Sequence, residues 1–161
     1  MTRLRLGILG SLVLLGSTAQ AAAAEAASSC ATTVAPASPF AEPSPSSASR
    51  FWYGSEDLAV LLRRGGTWRG MGPSHNYRTK LVWWRQGYSG APEPRPELVV
   101  SGRRLDGEAP PATVSRATSC HHMDFGGWAM LVMVEFPASG CWEVTGQYKG
   151  KVASFVVEVV P

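Results

Sequence analysis

Beyond Leu15 no segment of this sequence approaches the ~18–20 consecutive apolar residues that a membrane-crossing helix needs. That excludes a membrane span from the mature chain. An excess of one charge is also lacking, since 15 Lys and Arg stand against 12 Asp and Glu, a net +3. So small an excess excludes a basic nucleic-acid arm or a polybasic membrane tether as the main device. Catalytic signatures are absent as well: there is no G-x-S-x-G, no P-loop and no H-E-x-x-H. Three histidines leave few candidates for a general base. The carboxylates of Glu56-Asp57 and of Asp106 and Glu108 sit in turn settings, where Asp and Glu are ordinary. The expectation is a protein that is not an enzyme, uses no cofactor and does not bind nucleic acid.

What is present begins with an export signal. Arg3 and Arg5 precede an apolar run from Leu6 to Leu15, and small residues follow, with A-x-A at Ala19-Gln20-Ala21 and Ala22-Ala23-Ala24. A basic start, a short apolar core and a small-residue cleavage site describe a secretory signal peptide over residues 1–24. The protein is therefore expected in the periplasm or outside the cell, with association with the envelope one of the open arrangements. Residues 25–49 are almost all Ala, Ser, Thr and Pro. Such a stretch has too little apolar surface to offset chain ordering, so a disordered linker is expected there. At Arg50-Phe51-Trp52-Tyr53 the composition changes, which puts one folded domain over 50–161.

Within that domain short runs alternate in polarity between Gly and Pro turns. Trp128, Met130, Val132, Val134 and Phe136 share one face; Trp142, Val144 and Tyr148 share another; so do Phe155, Val157 and Val159. Alternation with a period of two is the mark of a half-buried strand. Further strands are expected over 57–63, 79–85, 97–101 and 112–115. About seven antiparallel strands in some 110 residues predict an all-β, immunoglobulin-like β-sandwich. Tyr148-Lys149-Gly150-Lys151 reads as a tight hairpin that sets Trp142, Val144, Phe155 and Val157 on one buried face.

The stretch Gly140-Cys141-Trp142-Glu143-Val144-Thr145-Gly146, followed by Phe155-Val156-Val157, resembles the last two strands of bacterial secreted immunoglobulin-like domains. Trp83-Trp84-Arg85 and Leu98 to Asp106 belong to the same pattern. The resemblance is loose over Phe51 to Pro161 and best over the last thirty residues. It implies a fold and an exported location. It implies no reaction, because sandwiches host many unrelated functions.

Three cysteines remain to be placed. In an oxidising compartment Cys120 and Cys141 are expected to pair, leaving Cys30 in the linker, available for a lipid anchor or an intermolecular bridge. Cys120 also opens a donor-rich run with His121, His122 and Met123, whose chemistry suits Cu(I) or Zn(II), with Met71 or His75 as added ligands. Adjacent strand residues point to opposite faces, so these four cannot converge without a tight loop. A solvated polar loop is the plainer reading.

The remaining candidates concern recognition. Trp83 and Trp84 are strand neighbours, so one should face the core and the other solvent, where with Arg85 it could stack on a sugar. Arg63, Arg64, Arg69, Arg78, Lys80 and Arg85 follow one another with no carboxylate between them. They suit an anionic envelope polymer or serve as a solvated edge. The sequence thus predicts a non-catalytic binding or structural module of the bacterial envelope. Its partner would be an envelope protein or polysaccharide.

Overall fold

The computed structural model describes residues 30–37, 40–44, 46–69, 77–122 and 126–161. The proposed signal peptide lies outside the described residues. Ten strands form, and no helix occurs among the described residues. They are β1 (Arg50–Ser55), β2 (Leu58–Arg63), β3 (Thr67–Arg69), β4 (Tyr77–Trp84), β5 (Val99–Arg104), β6 (Thr113–Val114), β7 (Thr118–His122), β8 (Gly127–Phe136), β9 (Gly140–Tyr148) and β10 (Lys151–Val160). The first sheet runs β1-β2-β4-β8, and both β6 and β7 pair with the far edge of β8. The second runs β3-β10-β9-β5. Every pairing is antiparallel except that of β3 with β10.

The two sheets bury the residues that alternate along their strands. Leu58, Val60 and Leu62 of β2, Leu81 and Trp83 of β4, and Met130 to Phe136 at every second position of β8 line one side. Trp142, Val144 and Tyr148 of β9 meet Ala153, Phe155, Val157 and Val159 of β10 on the other. Tyr148 and Lys151 are register partners, so the hairpin loop is Lys149-Gly150. Both loop residues have positive φ, 46° and 77°. That is the type I′ geometry whose twist matches the flanking strands.

The chain before Arg50 is where expectation and structure part. The Thr33 amide donates to the Val156 carbonyl at 2.9 Å, and the Val156 amide donates to Thr33 Oγ1 at 2.8 Å, so this segment lines the edge of β10. Ala35 packs against the core. Phe40 then stacks on Trp84, and the Trp52 indole donates to Ser44 Oγ. Trp52 and Ala59 lie outside the inter-sheet core cluster yet are fully buried, and Ser44 of this strap lies against Trp52. Residues 30–37 and 40–44 are thus part of the fold rather than a free linker. The composition argument missed them because backbone pairing and a cysteine need little apolar surface.

The cysteine pairing also differs. Cys30 and Cys141 form the disulfide, with 5.4 Å between their Cα atoms, and Cys120 is free. The expected Cys120–Cys141 bridge is precluded by layer geometry. Cys120 pairs with Ala129 in the first sheet, and Cys141 lies on β9 of the second, each on the face turned from the core. The two thiols therefore sit on opposite outer faces. Because the sulfur of Cys30 is committed to this bridge, it cannot also carry a thioether-linked lipid.

Candidate functional site

Two places concentrate charge. The first is a cluster at the end of the sandwich. Glu93 accepts from the Tyr148 hydroxyl at 2.6 Å and from Lys149 Nζ at 2.9 Å. Its main-chain carbonyl accepts from Tyr88 OH at 3.1 Å and from Ser119, and the Tyr88 and Ser119 hydroxyls also meet. The Tyr148 hydrogen bond, helped by Lys149, holds the Glu93 carboxyl below its ordinary range. Burial pushes both tyrosines up. These bonds tie Glu93 and Tyr88 to Ser119, Tyr148 and Lys149, so the knot pins the 88–98 connection.

The knot has a pH signature. A carboxyl whose folded pKa is lowered contributes stability above its unfolded value, near 4.3, and loses it as pH falls through the folded value. Glu93→Gln is expected to lose about 1 kcal/mol at pH 7 in urea unfolding, and that deficit should shrink towards pH 3 as the parent's Glu93 begins to take up its proton. An equal deficit at both pH values would sink this account.

The second place is a cleft of about 600 Å³ between β2 and β4. Its origin is a split in the first sheet. β2 pairs with β1 along all six residues, but meets β4 only at Ala59↔Trp84 and Val60↔Trp83. Beyond these rungs the strands diverge. Arg50, Arg63, Arg69, Arg78 and Lys80 line the opening, and no carboxylate lines it among the described residues. Leu61, Val82 and Met133 supply apolar wall.

The electrostatics of the cleft are unbalanced. Arg50 and Arg63 are direct register partners, an arrangement of like charges that disfavours the sheet. Arg78 and Lys80 are two residues apart on one exposed face. Glu135 opposes Arg78 across β4 and β8, but no ion pair closes between them. Arg63, Arg69, Arg78 and Lys80 form no ion pair among the described residues. Five positive charges here exceed the +3 of the entire chain, so the remainder is net negative. The asymmetry is a property of this face.

The fates of the sequence candidates follow. Of the cationic run, Arg63, Arg69, Arg78 and Lys80 meet in the cleft. Arg64 instead donates to the Ser47 carbonyl and lies over Phe51, and Arg85 lies over Tyr148. Arg50 was missed, since only the β1–β2 register brings it there. Trp83 is wholly buried and Trp84 does turn outward, as expected of strand neighbours. Trp84 is nevertheless half-buried against Phe40 and Trp52, so Trp83, Trp84 and Arg85 present no common sugar-stacking platform.

The donor-rich run is a strand rather than a loop. His121 and His122 are consecutive on β7, paired with Trp128 and Gly127, and so face opposite sides. His121 meets the edge of Trp128 at 5.7 Å. Burial pushes the Cys120 thiol up, away from the thiolate form. Met71, His75 and Met123 lie outside the described residues. Among the described residues no three His, Cys, Asp or Glu side chains gather as a metal site.

No family model matches the chain, and no curated protein matches it. A solved structure of a Bacillus anthracis protein described as a "Putative Lipoprotein" aligns with a TM-score of 0.38 at 14% identity. The alignment covers 74% of this chain and 86% of that one.

Proposed function

We propose that this chain is an exported, non-catalytic binding module of immunoglobulin-like type that holds an anionic component of the bacterial envelope in the cleft between β2 and β4. The observation that carries the reading is the concentration of Arg50, Arg63, Arg69, Arg78 and Lys80 around one concavity that no carboxylate lines among the described residues. Arg50 and Arg63 stand as direct register partners, and like charges so placed repel. An anion between the strands would offset that repulsion and accept several charge-assisted hydrogen bonds. The disulfide is consistent with an oxidising compartment, and the sequence signal points the same way. Two layers built on alternating strands, antiparallel apart from the β3–β10 pair, support the immunoglobulin-like assignment.

The test separates place from total charge. Arg78→Glu/Lys80→Glu and Arg95→Glu/Arg116→Glu alter the net charge equally, and all four side chains are exposed. At 0.1 M salt the first variant is expected to bind heparin, used as a generic polyanion, at least tenfold more weakly than the parent. The second should bind within about threefold of it. Equal losses in the two variants would mean that the chain attracts anions only through its overall field.

A further inference from the structure

We infer that the cleft takes an extended acidic peptide segment, which adds as a strand to the open edge of β4. The inference rests on the anionic reading of the same cleft and names its occupant. β4 pairs with β8 from Tyr77 to Trp83, whereas its other edge is paired with β2 only at Trp83 and Trp84. A continued ladder would have set Leu61, Leu62 and Arg63 opposite Val82, Leu81 and Lys80. That ladder is missing, and the cleft opens in its place. Every second residue of β4 between Tyr77 and Val82 therefore turns backbone N–H and C=O groups toward the opening. They have no strand partner on that side among the described residues.

An open strand edge is a template for an incoming chain. The period of the side chains selects the kind of chain. Arg78 and Lys80 stand on the outer face, two residues and about 7 Å apart. A strand added beside β4 has the same two-residue repeat, so carboxylates at alternate positions fall beside both cations. Arg63 and Arg50 face the same added strand from the β2 side. Its intervening residues turn to the opposite side of the sheet, where Trp68, Leu81 and Val159 supply apolar lining. A polyanionic sugar would satisfy the cations but has no amide ladder to offer the edge.

The experiment titrates the purified exported protein with acetyl-Glu-Thr-Glu-Thr-Glu-Thr-amide, followed by backbone amide shifts. Three probes accompany it: the block peptide Glu-Glu-Glu-Thr-Thr-Thr, the alternating peptide N-methylated at every second amide, and polyglucuronate. The expected result is binding of the alternating peptide with shifts centred on Thr79 to Val82. Both modified peptides should bind at least tenfold more weakly, and Arg78→Glu/Lys80→Glu should weaken the parent peptide as much. Equal binding of the N-methylated peptide, or shifts centred on another strand, overturns the inference while leaving an anion-binding cleft. Polyglucuronate binding without peptide binding does the same. Failure of both classes of probe removes the inference and the anionic reading together.

Discussion

Replacing Cys30 and Cys141 by alanine is expected to lower the unfolding free energy by about 4 kcal/mol in urea titrations at 25 °C. The bridge joins positions 111 apart. On the chain-entropy account a loop of that length restricts the unfolded ensemble by somewhat over 4 kcal/mol, although the partition between entropy and enthalpy is disputed. The bridge also fastens the strap whose Thr33 pairs with Val156, so the variant should lose amide protection there before it does so elsewhere. Cys120→Ala, at a half-buried outer position, is the control and should cost under about 1 kcal/mol. Unfolded but unreduced protein should show one reactive thiol. If Cys120→Ala proved the costlier change, or two or more thiols reacted, the assigned pairing would be wrong.

Gly146→Ala is expected to cost about 3 kcal/mol, the upper end for an overpacked core. A Cβ built on Gly146 would lie 2.3 Å from the Trp83 ring. The ring has nowhere to go. Trp83 is fully buried, its strand is held by β8, and its other neighbours include Phe155, 6.1 Å away between ring centres. The indole Nε1 is buried and finds no hydrogen-bond partner among the described residues. Trp83→Leu should therefore partly rescue Gly146→Ala, with a coupling of about 1–2 kcal/mol in a double-mutant cycle. A single variant within about 0.5 kcal/mol of the parent would refute the contact.

This pair explains why some of the fold can be read from the chain and some cannot. Trp142, Val144, Phe155 and Val157 announce their common face because a strand's two-residue repeat is written directly into the order of residues. Gly146 falls within a strand that the sequence does announce, yet its role as space for an indole some sixty positions earlier leaves no local mark. The Cys120 to His122 part of β7 reads as a loop because it is polar and sits at a half-buried sheet edge, where alternation leaves no trace. Nearness in the chain favoured Cys120 as the partner of Cys141, but the strap brings Cys30 there across a far longer separation. The cleft was half legible. Its cations cluster in sequence, whereas its opening depends on two rungs of pairing followed by divergence, and no local pattern records that.

The strap and its bridge give the molecule a mechanical character. Tension applied between Cys30 and Pro161 passes through sulfur into the start of β9, so only the 20 residues after Cys141 can pay out. At about 3.5 Å per residue that is roughly 70 Å of extension, against roughly 460 Å for the 131 residues freed once the bridge is reduced. Under load most of the cationic sheet, from β1 through β8, is enclosed in a covalent loop and bears no force along its chain.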